Sequence, residues 1–538
     1  MQASGSTQQW PQVWEAVGDL AARDAVRRLY EKDATLWSDD PGHRAVAANR
    51  LGWLDVADGQ PGWSERLAAF TKAVRSDGFE RVVLTGMGGS SLAPEVFAGI
   101  LGGAGLRLDI LDSTHPETVH ARLSNLDRTL VLVSSKSGGT EETQCFASYA
   151  GSQVPSPTHL VAITDPGSAL AEQAQAQGWR ALFENPPDIG GRYSALSLFG
   201  TVPAALAGVD VDEAWRGAGR MREACGPAVE AEWNPAVQLA AFIGGFARAG
   251  RDKMTLLSTP ELAPLENWIE QLVAESTGKD GKGIVPVVGE PVGEPEVYGD
   301  DRAFVVVTLD GQPVEGVDEL VAAGFPVLTI DVADVSELGA EFLRWELATA
   351  LAALLLGVDP FDEPNVTESK RNTQAVLESV LAGETLPEPE EGDVMGLIEE
   401  VEPGDYISIQ CYLPPSPETH ASLEQLRLTL RGETGCATTV GWGPRFLHST
   451  GQLHKGGGDN VVALQLVDAA TGGPPIPDRG YDFATLIRAQ AVGDLRSLRD
   501  HRRRVAQVPI VEREELLALS DAVEEGLGAL GPPPAPNG

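Results

Sequence analysis

The residues best placed to do chemistry begin in the stretch TLVLVSSKSGGTEET, residues 129–143. Its apolar run, Leu130 to Val133, predicts a buried parallel strand. The run ends in a turn of Ser134, Ser135, Lys136, Ser137, Gly138 and Gly139, and Thr140 is placed to cap a helix. Glu141 and Glu142 fall in the first helical turn, where the helix dipole favours acidic groups. Backbone N–H groups, hydroxyls and a helix N-terminus converging on one turn make an anion site. The turn lacks the glycine–lysine–serine signature of a nucleotide loop, so a small-molecule monophosphate fits better than a nucleoside triphosphate. The alternative is an ordinary polar turn between strand and helix. Gly86, Gly88, Gly89 and Ser90 form a second phosphate-type turn, whose glycine spacing departs from the dinucleotide fingerprint.

Three further stretches carry reactive side chains. GGRYSALS puts Arg192 in a Gly-flanked loop, AESTGKDGKG puts Glu275 at the end of an amphipathic helix, and PFDEPNVTESK puts Lys370 near a helix start. Moving a proton next to a carbonyl needs a carboxylate whose pKa can rise in a closed site and a cation aimed at the forming oxyanion. Glu275 and Arg192 are of those types. A solvated helix end and a structural ion pair are the plain alternatives for the two.

The elements that must position these groups follow from a regular alternation of strands and helices. The chain has 538 residues, enough for several domains around a large core. Residues 1–78 read as a helical segment, with Trp14, Leu20, Val26, Leu29 and Tyr30 on one apolar face and Trp63, Leu67, Phe70 and Val74 on another. Strands are predicted at 81–85, 106–111, 130–133, 159–163 and 180–183, and again at 254–257, 304–307 and 327–330. Two α/β units in tandem, 79–235 and 236–386, suggest a duplication with a ligand between them. PEPEEGD opens a linker, 387–400. Strands near 406–412, 437–440 and 462–467, with helices at 420–431 and 483–503, predict a smaller C-terminal α+β domain, 401–512. A helix and a Pro-rich tail, disordered by composition, complete 513–538.

Composition narrows the partners. Acidic side chains number 78 against 40 basic ones, a net charge of -38, which argues against nucleic acid and anionic membrane. The apolar stretch 339–357 is interrupted by Glu341, Arg344 and Glu346, so it predicts a core helix rather than a membrane span. Cys145, Cys225, Cys411 and Cys436 are scattered without metal or disulfide spacing, as expected of a reducing cytoplasm. The opening MQASGSTQQW lacks the charge and apolar core of a signal peptide.

In this order the pieces resemble the glucose-6-phosphate isomerases of the sugar isomerase superfamily, over roughly residues 80–375. GMGGSSLAP is similar to the family's GIGGSxLGP, SSKSGGTEET to its SKTxxTxET, and GGRYS matches its signature. ESTGKDGKG resembles the segment of its catalytic glutamate and PFDEPNVTESK its lysine segment. The resemblance implies two doubly wound parallel-sheet sugar isomerase domains, no metal or other cofactor, a hexose 6-phosphate substrate, and a homodimer as the assembly to consider. It implies that Ser135, Lys136, Ser137 and Thr140 hold the sugar phosphate, with Gly89 and Ser90 lining the pocket. Glu275 would move the proton between C2 and C1, Arg192 would stabilise the enediolate, and Lys370 would help open the ring. A dual glucose/mannose phosphate isomerase and a non-catalytic sugar-phosphate sensor are the other readings. Two departures stand out. Glu363 replaces the family's usual Gln, and the histidine that opens the sugar ring is missing from its place, since no histidine lies between His159 and His420. The candidates to replace it are His448 and His454 in GPRFLHSTGQLHKGG, His454 slightly preferred because Lys455 and three glycines follow it. That stretch resembles the C-terminal part of the isomerase half of bacterial transaldolase–isomerase fusions.

Overall fold

Three parallel sheets, built in sequence order, organise the chain. The computed structural model describes residues 10–530 apart from 58, 470–471 and 513, so the opening nine residues and the Pro-rich tail lie outside the described residues. The first sheet contains β1 (Arg81–Thr85), β2 (Arg107–Leu111), β3 (Thr129–Ser134), β4 (Leu160–Thr164) and β5 (Ala181–Glu184), ordered β2-β1-β3-β4-β5. The second contains β6 (Lys253–Ser258), β7 (Val285–Val287), β8 (Arg302–Leu309) and β9 (Val327–Val332), ordered β7-β6-β8-β9. The third contains β10 (Tyr406–Tyr412), β11 (Ala437–Trp442), β12 (Val461–Asp468) and β13 (Arg504–Ile510), ordered β11-β10-β12-β13. Each sheet thus starts on an inner strand, adds one neighbour on one side and grows on the other.

The third sheet corrects an expectation. All its pairings are parallel, so the C-terminal unit is α/β rather than α+β. Its last strand escapes sequence reading because RVAQVPI follows a helix and carries Pro509; β7, with Pro286, escapes for the same reason. Proline lacks an N–H to donate, which confines it to sheet edges, and both strands are edge strands. The expected linker is structured in part: Val394–Glu399 is helical, and the Glu390 and Gly392 N–H groups donate to Gln507.

β1 and β3 are apolar on both faces because the sheet is covered on both, as a parallel sheet requires. The helix Leu338–Leu356 is buried over its whole length, and its charges are handled internally: Arg344 pairs with Glu341 at 3.0 Å, while burial drives the Glu346 carboxyl well above its ordinary range. The N-terminal helices, Pro11–Ala22 and Trp63–Ser76 among them, complete this core, with Trp37 Nε1 donating to Ala350 O across it at 2.9 Å.

Candidate active site

The site assembles where three glycine-bearing turns meet. β1 leads into the 3-10 turn Gly88–Ser90, where Gly88 has φ +55°. A Cβ at Gly88 would stand 2.6 Å from His448 O, and one at Gly89 would collide with Gly191 O, so glycine is required at both. The Gly191–Tyr193 turn is thereby pressed onto the Gly88–Ser90 turn, and Ser194 Oγ donates to Gly89 O at 3.2 Å. This contact fixes the base of Arg192.

Arg192 is buried and fully engaged. Its Nε donates to Ser276 Oγ at 3.0 Å, one terminal nitrogen donates to Pro360 O at 2.5 Å, and the other reaches Glu363 Oε2 at 3.1 Å and Glu275 Oε1 at 3.4 Å. Burial works against the guanidinium charge, but Glu275 and Glu363 outweigh it and raise its pKa further. Glu363 therefore pairs with the arginine instead of adding an uncompensated charge. Glu275 sits in the last turn of the helix Pro264–Thr277 and is buried. Burial pushes its carboxyl above the ordinary range, Arg192 pulls the other way, and Glu363 adds to the rise. Lys279, which the sequence reading missed, donates to Asp362 O at 2.6 Å and pairs with Asp362 Oδ1 at 2.8 Å. Burial, reinforced by Arg192, lowers its pKa to about 8.

A second cluster lies beside the first. The 445–457 segment connects β11 to β12 and enters between the two sugar isomerase-like units. Arg445 pairs with Asp112 at 3.1 Å and also with Glu95, and His448 Nε2 meets Glu142 Oε1 at 2.9 Å. Gln490 Nε2 donates to the same Glu142 oxygen at 2.7 Å. Burial alone would raise the Glu142 pKa, but the His448 imidazole and, further off, Lys370 hold it at about 2. Glu142, His448, Lys370, Gln490 and Gly139 line one cavity of about 480 Å³. Gln271 joins the clusters, its Nε2 donating to Glu275 Oε2 at 3.0 Å and to His448 O at 2.8 Å. Gln271 stands one helical turn before Glu275, an i,i+4 relation that could have been read from sequence.

His454 is placed elsewhere. It is buried inside the C-terminal unit between Ser408 and Gln410, and burial, with Lys455 and Arg503 near, lowers its pKa to about 3. Of the two candidate histidines, His448 lines the cavity and His454, the one slightly preferred from sequence, does not.

The turn after β3 leads into the helix Glu141–Gln153. Ser135 Oγ accepts from Gly138 N at 3.2 Å and lies 3.3 Å from Thr140 Oγ1, while Ser137 Oγ accepts from Gly139 N at 3.2 Å. Thr140 stands at the N-cap position without accepting a helix N–H, which leaves its hydroxyl to the turn. Lys136 is drawn back onto Asp165, at 2.6 Å, and Pro187 O, at 2.7 Å. Among the described residues, one group could gather metal-ligand atoms: His43, Asp359 and Asp362, within 4.8 Å of one another. Asp362 is already paired with Lys279. Also among the described residues, no helix is long and apolar enough to cross a membrane.

Comparison with known proteins gives the arrangement its family. No family model matches the chain. It is 31% identical over 402 residues to a glucose-6-phosphate isomerase of Synechococcus sp. (strain JA-3-3Ab), covering 64% of this chain and 74% of that one. A glucose-6-phosphate isomerase of Thermosynechococcus vestitus is 31% identical over 353 residues, 56% of this chain and 66% of its own length. Among solved structures, a hypothetical protein from Thermus thermophilus aligns with TM-score 0.59 at 26% identity, over 70% of this chain and 99% of that one. A glucose-6-phosphate isomerase from Chlamydia trachomatis shares the fold at TM-score 0.51 and 19% identity, over 69% and 84%. The chain spans about two thirds to three quarters of the length of these two relatives. The chain belongs to the glucose-6-phosphate isomerase family.

Proposed function

We propose that this chain interconverts glucose 6-phosphate and fructose 6-phosphate through an enediolate, within the site just described. The observation that carries the reading is the buried contact of Glu275 with Arg192, 3.4 Å apart, with Gln271 tying Glu275 to the His448 backbone. A carboxylate raised by burial can accept the C2 proton and return it to C1. The guanidinium fixed beside it would stabilise the oxyanion by its charge, and by an N–H that turns from Glu275 or Glu363 to the substrate. His448, paired with Glu142, and Lys370 on the same cavity are the groups for opening the sugar ring. Imidazole exchanges protons near neutral pH, and a carboxylate on its Nε2 orients the ring. Ser135, Ser137 and Thr140 would receive the phosphate, with Lys136 adding charge from behind and Gly89 and Ser90 shaping the neighbouring turn.

The reading makes the protein cytoplasmic, in keeping with four free, buried cysteines. It makes a homodimer the assembly to be measured by light scattering. The site's histidine comes from the same chain. The test of the function is a coupled assay on purified protein with glucose 6-phosphate and fructose 6-phosphate in both directions. Conversion supports the reading, mannose 6-phosphate among the products would widen the substrate range, and binding without turnover would make the protein a sensor.

A further inference from the structure

His454 is excluded from the cavity, yet its surroundings tie it to the reaction. Gln410, Gln465 and Gln507 stand in register across β10, β12 and β13, all buried. Gln507 Nε2 donates to Gln465 Oε1 at 2.5 Å, and Gln465 Nε2 faces Gln410 Oε1 at 3.5 Å. The Gln410 amide nitrogen then faces His454 Nδ1 at 3.3 Å, which puts the imidazole proton on Nε2, toward Ser408 Oγ at 3.3 Å. At its other end the row begins at the Glu390 N–H, which donates to Gln507 Oε1 at 2.8 Å. A glutamine row of this kind has a direction, since reversing any amide sets donor against donor. Beside it, Lys455 Nζ and Asp494 Oδ1, 2.6 Å apart, form a buried ion pair, and Gln465 Nε2 also lies 3.3 Å from Asp494 Oδ2.

The 445–457 segment is thus held from two sides. Residues 454 and 455 point into the polar interior of the C-terminal unit. His448 and Gln452 point outward, Gln452 Nε2 donating to Gly278 O at 3.0 Å and its Oε1 accepting from Asn365 N at 3.0 Å. Gly278 follows Glu275 by three residues, and Asn365 lies in the first turn of the helix that carries Lys370. A directed polar row fixes one register of the segment.

We propose that His454 is a positioning residue for the reaction: anchored by the Gln410–Gln465–Gln507 row, it sets the register in which the 445–457 segment presents His448 to Glu142 and the cavity. The inference rests on the role given to His448 above. A side chain displaced by about 1 Å from its working position can cost up to about a hundredfold in rate.

The experiment uses His454→Leu, Ser408→Ala and the conservative His454→Asn in the full chain. Two reactions are compared: turnover of cyclic fructose 6-phosphate, and C2–C1 proton exchange on 5-deoxyfructose 6-phosphate, which cannot close a furanose ring. His454→Leu should lower cyclic turnover about tenfold or more while open-chain exchange stays within about twofold, and should shift the pH profile of cyclic turnover. His454→Asn, keeping an acceptor for Gln410, should recover most of the loss. If His454→Leu fails to fold, Ser408→Ala, which removes only the acceptor of Nε2–H, should show the same selective loss more weakly. Wild-type cyclic turnover in the folded variant, or equal loss in both reactions, would overturn the proposal. Glu275→Gln and His448→Gln run alongside: if neither loses activity, the underlying reading has failed, whereas if both do and His454 and Ser408 variants do not, only the positioning role has.

Discussion

The first two units share a strand order, β2-β1-β3-β4 against β7-β6-β8-β9, but use it differently. In the first, the connections after β1 and β3 are glycine- and hydroxyl-rich turns that lead into helices. In the second, the connection after β8 is an Asp310–Gly311 turn whose Gly311 N–H donates to the Asp331 carboxylate at 2.7 Å. The second unit instead contributes the far end of a helix, Pro264–Thr277, where Glu275 is buried beside Arg192. One strand order therefore presents glycine-bearing turns in one copy and a buried carboxylate at a helix end in the other. What differs is which end of each helix faces the shared site: N-termini suit an anion, and a C-terminal turn suits a carboxylate that must stay basic.

The largest expected effect tests the second unit. Glu275→Gln should cut turnover by ~10²–10⁴ on both cyclic and open-chain substrates while leaving substrate binding in place. Near wild-type activity would remove proton transfer from this unit. Next is His448→Gln, predicted to lower cyclic turnover by at least ~10² with open-chain exchange spared. Equal losses on both substrates would merge the two clusters into one function. Ser137→Ala and Thr140→Ala test the first unit: each should raise KM and weaken inhibition by inorganic phosphate, by about tenfold for a lost charge-assisted hydrogen bond. Lys136→Ala should weaken both by less, because Asp165 already holds that ammonium. Unchanged phosphate inhibition in all three would move the anion site off this turn.

A stability measurement sharpens the boundary between the units. Glu142, held at about 2 against an ordinary 4.5, contributes stability that is complete above pH 4.5 and lost as pH falls through 2. Acidifying from about pH 5 to about pH 3 should therefore lower the Tm of the native protein more than that of Glu142→Gln. Equal slopes would show that the pair does not couple the C-terminal unit to the first. The smallest effect is expected in the loop equivalent to the phosphate turn, where Gln312→Ala should leave KM within about twofold.

Much of this was legible in the sequence. β10 coincides with its predicted span, and the buried runs of β1 and β3 announced themselves by being apolar throughout. Arg192 stood out because glycines flank it and Glu275 because a polar Gly-rich run follows it, whereas Lys370, inside the helix Pro364–Leu381, was singled out by the resemblance of its segment alone. Glu142 was read only as a helix-start charge, since its partners His448 and Gln490 lie more than 300 residues away, and no local pattern encodes such a contact. His454 was preferred over His448 because glycines follow it. Those glycines serve close packing instead: a Cβ at Gly457 would stand 2.5 Å from Leu453 O. Lys279 sits in the quoted ESTGKDGKG motif, but its target carbonyls belong to the 359–362 loop, which only the fold brings near.

The late position of the 445–457 segment has a consequence for how the protein is made. Both sheets that flank the reacting groups end by Val332, whereas His448 lies 116 residues further on. During synthesis the turns after β1 and β3 and the helix bearing Glu275 leave the ribosome first, and the segment that lines the cavity with them follows. The cavity that Glu142 and Lys370 line together with His448 and Gln490 is therefore complete only once the last unit has docked.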